Sequence, residues 1–284
     1  MSDQTHAPTN ERTTDPRLTD PSPPRARPRI LIAIPVFNEE KSVDRVLTEV
    51  ARHAAGFGGE ILVIDDGSTD GTPAALARHP VEVIRHGKNR GYGRGMQDML
   101  EWADFRGYDW VISMDCDEQH EPRFIPDFLR AIRDDDADIV SGSRYLMPEG
   151  DAAPADRRRI NRTITAELNE ALGWSLTDSF CGFKAHRTDA MARLRLDVTG
   201  YDFPLQFWVQ AAALGLRVRE IPVSRVYVDL NRTFGNGLDD PSHRLATYRA
   251  TLARELARMD ELRRVDALSR LDQPAQRPAS LRLA

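Results

Sequence analysis

Asp115 and Asp117 stand two residues apart in VISMDCDEQHEP (111–122), where an apolar run stops. Like charges at that spacing repel unless something positive lies between them. A hard divalent cation relieves the repulsion, because it takes carboxylate oxygens into a near-octahedral shell and leaves other positions to water and substrate phosphates. Aspartate also suits an ordinary solvated turn, so the pair alone does not separate a metal site from a strand end. Of the neighbours, His120 is expected to pack or hydrogen-bond within the loop. Cys116 points away from both aspartates in an extended segment, as a small buried residue rather than a nucleophile.

Three further polar clusters follow apolar or turn-rich stretches. Asn38-Glu39-Glu40 follows ILIAIPVF, Asp65-Asp66-Gly67-Ser68 follows EILVI, and KNRGYGRG occupies 88–95. The elements that must carry them can be read from periodicity. Ile30–Phe37 is a continuous apolar strand, the kind whose two faces are both covered. A helix is expected from Lys41 to Ala55, with Val43, Val46, Leu47, Val50 and Ala54 on one face. Strands follow at Glu60–Ile64, Val81–Arg85, Trp110–Met114 and Asp138–Ser141. Helices at Thr72–Arg78, Gly91–Phe105 and Phe124–Ile132 alternate with them. This alternation predicts an α/β fold, a mainly parallel, doubly wound sheet with helices on both faces. Ligands of such sheets bind outside the strand carboxyl ends, where all the polar clusters fall. The glycines at 91, 93 and 95 do not follow the first strand, as a dinucleotide fingerprint would require. Gly91 either lets backbone approach a diphosphate or simply opens a helix.

The chain has 284 residues and a net charge of −5, so its overall balance does not suggest a nucleic-acid partner. Two cysteines are too few for a disulfide framework or a structural zinc site. Residues 1–28 are polar and proline-rich and read as a disordered tail without the apolar core of a signal peptide. No run is long enough to span a bilayer. The expected organisation is one domain over 29–240, an amphipathic helix over 241–271 and a loose tail over 272–284, in a cytoplasmic protein whose membrane contact, if any, is peripheral at the inner face. Beyond Arg144, helices are expected at Asp156–Leu172 and Leu205–Leu214, a turn at Asp178–Gly182 and a strand at Val218–Val223. The last helix sets Leu245, Tyr248, Leu252, Leu256, Met259 and Leu262 on one face. Arg244, Arg249, Arg254, Arg258 and Arg263 are read onto the other. Its leucine stripe packs on the domain, or else its arginines lie on an anionic membrane.

The ordered series IPVFNEE (34–40), VIDDGSTDGT (63–72), KNRGYGRG (88–95), MDCDEQHEP (114–122), SGSRY (141–145), DSFCGFKAHR (178–187) and REIPV (219–223) resembles the family 2 glycosyltransferases with the GT-A fold. The resemblance is to the branch containing dolichol- and polyprenyl-phosphate mannosyl- and glucosyltransferases. It implies a nucleotide-sugar donor, GDP- or UDP-linked, and a polyprenyl phosphate acceptor. Pro35, Glu39, Asp65, Asp66 and Gly91 would serve the nucleotide, with Asp66 against the base. Asp115 and Asp117 would bind Mg²⁺ or Mn²⁺, with Gln119 as a metal or diphosphate contact. Arg144, Lys184 and Arg232 would line the acceptor phosphate.

A phosphate acceptor is already ionised and needs cations, whereas a hydroxyl acceptor needs a general base. Asp178 could orient Lys184 or be that base. A soluble hydroxyl acceptor is therefore the in-class rival, and an inactive nucleotide-sugar-binding module is another. A sugar nucleotidyltransferase would want a basic glycine-rich loop directly after the first strand, and Pro35–Asn38 is not one. Two features depart from the family pattern. Asn231–Gly237 lacks the usual G-x-S-K, and Gln206 and Gln210 stand where relatives often have a glutamate. Both put the acceptor in question, while the absence of Gln-x-x-Arg-Trp counts against a processive synthase.

Overall fold

A computed structural model describes residues 27–117, 120–147, 155–224 and 237–272, so most of both expected tails lies outside it. β1 (Ile30–Val36) is buried along nearly its whole length, as a central strand between two helix layers must be. α1 (Val43–Ala55) turns Val43, Val46, Leu47, Val50 and Ala54 inward and returns the chain to β2 (Glu60–Asp65). The same step repeats through α2 (Thr72–Leu76), β3 (Glu82–Arg85), α3 (Tyr92–Phe105), β4 (Trp110–Ser113), α4 (Ile125–Asp134) and β5 (Ile139–Ser143). α5 (Ala155–Leu172), β6 (Lys184–Arg187), α6 (Thr188–Met191), α7 (Phe203–Ala213), β7 (Val218–Pro222) and α8 (Pro241–Asp272) complete the described elements.

The seven strands form one sheet in the order β3-β2-β1-β4-β6-β5-β7. The chain winds from β1 outward through β2 to β3, then crosses back to β4 on the other side of β1. That reversal opens a crevice at the carboxyl ends of β1 and β4, where Asn38 and Asp115 follow. Every pairing is parallel except those of β6, which runs antiparallel to both β4 and β5. This strand was not expected, since KAHR is short and polar and only its neighbours' open edges make it a strand. Its direction matters: Lys184, its first residue, pairs with Ser113 near the end of β4 and with Ser141 on β5. The preceding segment, 178–183, therefore opens on the same rim as Asp115.

Alternate residues of β1 feed two cores. Ile32 and Ile34 join Val46, Leu47, Phe128 and Phe183 on one face. Leu31 and Ala33 join Met99, Ile164, Trp208, Tyr248 and Leu252 on the other, so α8 packs into the core of the domain. The arginine face expected of α8 is corrected in part. Arg244 is only 3% exposed and donates to Asp156 (2.9 Å) and to the Leu238 carbonyl (2.8 Å). Arg249 pairs with Glu167 on α5, and Arg254 and Arg258 reach Glu255. Arg263 pairs with Asp260. These acids offset much of the positive charge that an anionic surface would meet.

Candidate active site

One side of the rim is built from the ends of β1 and β2, which stay in register to Val36 and Asp65. Asn38 takes the left-handed region (φ 56°), which its short polar side chain tolerates. Its N–H donates to Ser68 Oγ (2.9 Å), and its side-chain oxygen accepts from the Thr69 N–H (2.8 Å). Buried Glu39 accepts from the Ser42 hydroxyl (2.6 Å), and its N–H donates to Thr72 Oγ1 (2.8 Å). Asp65 is fully buried, accepting from the Ser68 N–H (2.9 Å) with Arg85 Nε 3.2 Å from its other oxygen. Both carboxylates thus fix the loops that follow the strands. Pro35 lies against Gly95 of α3.

Asp66 holds the next loop. Its carboxylate accepts from the N–H groups of Arg90 (2.7 Å) and Gly91 (2.9 Å) and lies 2.6 Å from His86 Nδ1. Gly91 (φ 98°) then opens α3, the second of the two roles read for it. The reason for glycine here was not legible: a Cβ at Gly91 would lie 2.3 Å from the Thr199 carbonyl oxygen, and one at Gly93 2.2 Å from that of Val198. The 198–199 backbone presses onto the helix start, where Gly93 N–H donates to Thr199 O (2.8 Å).

Beyond β4, the Asp115 N–H donates to His120 Nδ1 (2.9 Å). The remaining ring proton is therefore on Nε2, 3.8 Å from Cys181 Sγ. Burial lowers the His120 pKa to about 4 against the pull of Asp117, so the ring is a neutral prop packed on Phe183. The Asp115 side chain is 31% exposed. A Cβ at Gly182 would come within 2.8 and 2.9 Å of its two oxygens and 3.0 Å of Tyr92 Oη, so Gly182 keeps space open beside the carboxylate. Hard oxygen donors with room around them suit Mg²⁺ or Mn²⁺. Among the described residues no three acidic, histidine or cysteine side chains group together as a metal cage. Gln119 lies outside the described residues. Tyr92, stacked on Tyr201 at 5.6 Å, is a neighbour of Asp115 that the sequence reading missed, although its place between two glycines was a signal.

Farther along the rim, Arg144 lies just past β5. Its Nε and Nη2 donate to the two oxygens of Asp178 (2.7 and 2.9 Å), and its N–H also reaches Asp178 (3.2 Å). Burial pushes the Asp178 pKa up, but Arg144 outweighs it and holds the carboxyl below its ordinary value. Asp178 thus grips Arg144, a third possibility beside the two read from sequence, and a carboxylate so engaged is a weak proton acceptor. Lys184 is buried, donates to the Cys181 carbonyl and lies 5.3 Å from the centre of the Trp208 ring, and burial lowers its pKa. Burial also raises the Cys181 thiol to about 11, which removes it as a nucleophile. Arg232 lies outside the described residues.

Gln206 and Gln210, the two departures from the family pattern on α7, are buried and bonded within the fold. Gln206 Oε1 accepts from the N–H groups of Asp197 (2.8 Å) and Val198 (2.9 Å), and Gln210 exchanges two bonds with the backbone of Arg195. Their amide nitrogens meet Glu255 of α8, which is 0% exposed, at 3.1 and 3.4 Å. They join α7 and α8 to the segment that presses on Gly91 and Gly93.

A family model described as Glycosyl transferase family 2 matches residues 31–195. An undecaprenyl-phosphate mannosyltransferase of Micrococcus luteus is 33% identical over 219 residues, 74% of this chain and 88% of that protein. A polyprenol monophosphomannose synthase of Mycolicibacterium smegmatis is 32% identical over 216 residues, 72% of this chain and 80% of that protein. A similar fold occurs in the glucosyl-3-phosphoglycerate synthase of Mycobacterium tuberculosis, crystallised with Mn²⁺, UDP and glucosyl-3-phosphoglycerate (TM-score 0.65, 20% identity, covering 81% of this chain and 80% of that one).

Proposed function

Because the chain belongs to glycosyl transferase family 2, we propose that it moves a hexose from a nucleotide-sugar to a polyprenyl phosphate with inversion at the anomeric carbon. Mannose or glucose is the sugar, and the names of the two relatives favour mannose. The observation that carries the acceptor reading is the Arg144–Asp178 pair. The carboxylate best placed by sequence to be a base is committed to holding a buried guanidinium in a fixed orientation. A phosphate acceptor is already ionised and needs a fixed positive charge rather than a base.

An oxygen of the acceptor phosphate attacks the anomeric carbon on the face opposite the leaving diphosphate. The new C–O bond forms as the bond to the diphosphate breaks. Asp115 and Asp117, with Gln119, would hold Mg²⁺ or Mn²⁺, which when bound neutralises charge on the departing diphosphate. Gly182 keeps the space beside Asp115, and His120 fixes the Asp115 backbone. Pro35, Glu39, Asp65, Asp66 and Gly91 shape the nucleotide side, mostly by setting loops, with Asp66 nearest the base, guanine or uracil. Arg144 orients the acceptor phosphate, with Lys184 and Arg232 adding positive charge. No helix among the described residues is long and apolar enough to cross a membrane, which suits peripheral contact with a lipid-linked acceptor at the cytoplasmic face.

The test supplies radiolabelled GDP-mannose or UDP-glucose, Mn²⁺ and a detergent-dispersed polyprenyl phosphate, and counts label extracted into organic solvent. Labelled lipid from either donor is expected. Failure with both donors, together with no metal-dependent nucleotide binding, overturns the reading.

A further inference from the structure

The Arg144–Asp178 pair does not stand by itself. Asp178 belongs to a segment with no regular structure, yet its N–H and that of Thr177 are both hydrogen-bonded. The holder is Glu220, on the edge strand β7 opposite Ser141 of β5. One carboxylate oxygen of Glu220 accepts from the Asp178 N–H (3.0 Å), while the other accepts from the Thr177 N–H (2.8 Å) and the Thr177 hydroxyl (3.0 Å). The Thr177 hydroxyl lies 2.5 Å from Ser143 Oγ, which accepts in turn from the Tyr145 N–H (3.2 Å). Glu220 therefore reaches both sides of the ion pair, the turn carrying Asp178 and the two residues that flank Arg144.

We infer that Glu220 is a positioning residue for acceptor binding, which sets the Arg144 guanidinium by clamping residues 177–178 to the end of β5. This rests on the proposed role of Arg144 toward an acceptor phosphate. The clamp needs a carboxylate. Its two oxygens meet two backbone N–H donors, so a carboxamide would satisfy one and turn an N–H₂ group toward the other. Charge-assisted bonds to backbone N–H are among the stronger hydrogen bonds, so their loss frees the turn. Misplacement by about 1 Å in a reacting assembly can cost about 100-fold.

The experiment compares the full-length wild-type chain with Glu220→Gln, Arg144→Ala and the double variant, in steady-state transfer to a detergent-dispersed polyprenyl phosphate with calorimetric binding of the donor nucleotide in Mn²⁺. Glu220→Gln is expected to raise the acceptor KM by about tenfold to 100-fold while leaving nucleotide affinity unchanged. In the Arg144→Ala background the same substitution should add nothing, because residues acting through one group are not additive. An unchanged acceptor KM, or an equal loss of donor and acceptor affinity, overturns the inference. Should Glu220→Gln not fold, Thr177→Val, which cuts only the hydroxyl links, decides by the same readouts with a smaller rise expected. If Arg144→Ala itself leaves the acceptor KM unchanged, the acceptor reading fails, and the inference about Glu220 falls with it.

Discussion

Gly182→Ala puts the metal reading at risk with a single methyl group. Gly182 lies outside the left-handed region, so alanine meets no backbone objection. Its Cβ would sit 2.8 and 2.9 Å from the Asp115 oxygens, where ordinary contact begins near 3.4 Å. The carboxylate must retreat by about 0.5 Å, while workable metal–ligand distances hold to within about 0.2 Å. Tyr92 Oη, 3.0 Å from the same methyl, narrows the escape on that side. A loss of about 10–100-fold in Mn²⁺ affinity is expected, the range found when groups that orient metal ligands are disturbed. The assay is calorimetric titration of nucleotide with and without Mn²⁺, with thermal unfolding as the control for folding. The metal-independent part of nucleotide binding should persist. A folded Gly182→Ala protein with wild-type Mn²⁺ dependence would refute the placement of a cation beside Asp115.

Asp178→Ala removes the carboxylate that holds the buried Arg144 guanidinium and should destabilise the fold by about 3–5 kcal/mol in denaturant melts, more than Asp178→Asn. Because the Asp178 pKa is depressed in the fold, its contribution is present above the ordinary 3.8 and disappears as pH falls through the lower folded value, so a wild-type minus Asp178→Asn difference that grew on acidification below 3.8 would contradict it. His186, whose pKa burial lowers to about 3, is neutral in the fold while the unfolded ring protonates near 6.5. Stability should therefore fall as pH drops from 6.5 toward 3, and His186→Gln should flatten that slope in thermal melts. Glu255→Ala should lower the melting temperature and loosen residues 195–199, read as faster amide exchange there than in β1.

What was legible in the sequence followed from local rules. The apolar strands from Ile30 to Ser141 and the stripe of α1 declare themselves by period, and Asp115 and Asp117 by spacing. Strand β6 did not, because Lys184–Arg187 has no strand-like pattern and is made a strand by pairing with β4 and β5. The partners of the site residues were hidden for a similar reason. Arg144 meets Asp178 across 34 positions, and Gly91 touches Thr199 only once α7 is folded back. The partner that Gln206 and Gln210 share was equally hidden, because Glu255 lies 49 and 45 residues on. Residue types told which chemistry was present, whereas tertiary contacts decided which of these groups act on one another.

The buried Glu255 also bears on how the chain is made. Synthesis runs from the amino end, and domains form as segments emerge. All seven strands precede α8, so the sheet can assemble while Glu255 is still to come. Until it arrives, the face of α7 that packs on α8 lacks its cover. A nascent or truncated chain would thus carry a conspicuous apolar flag, the sort that chaperones hold and proteases find. Helix α8 hides that flag as it braces the segment against Gly91 and Gly93.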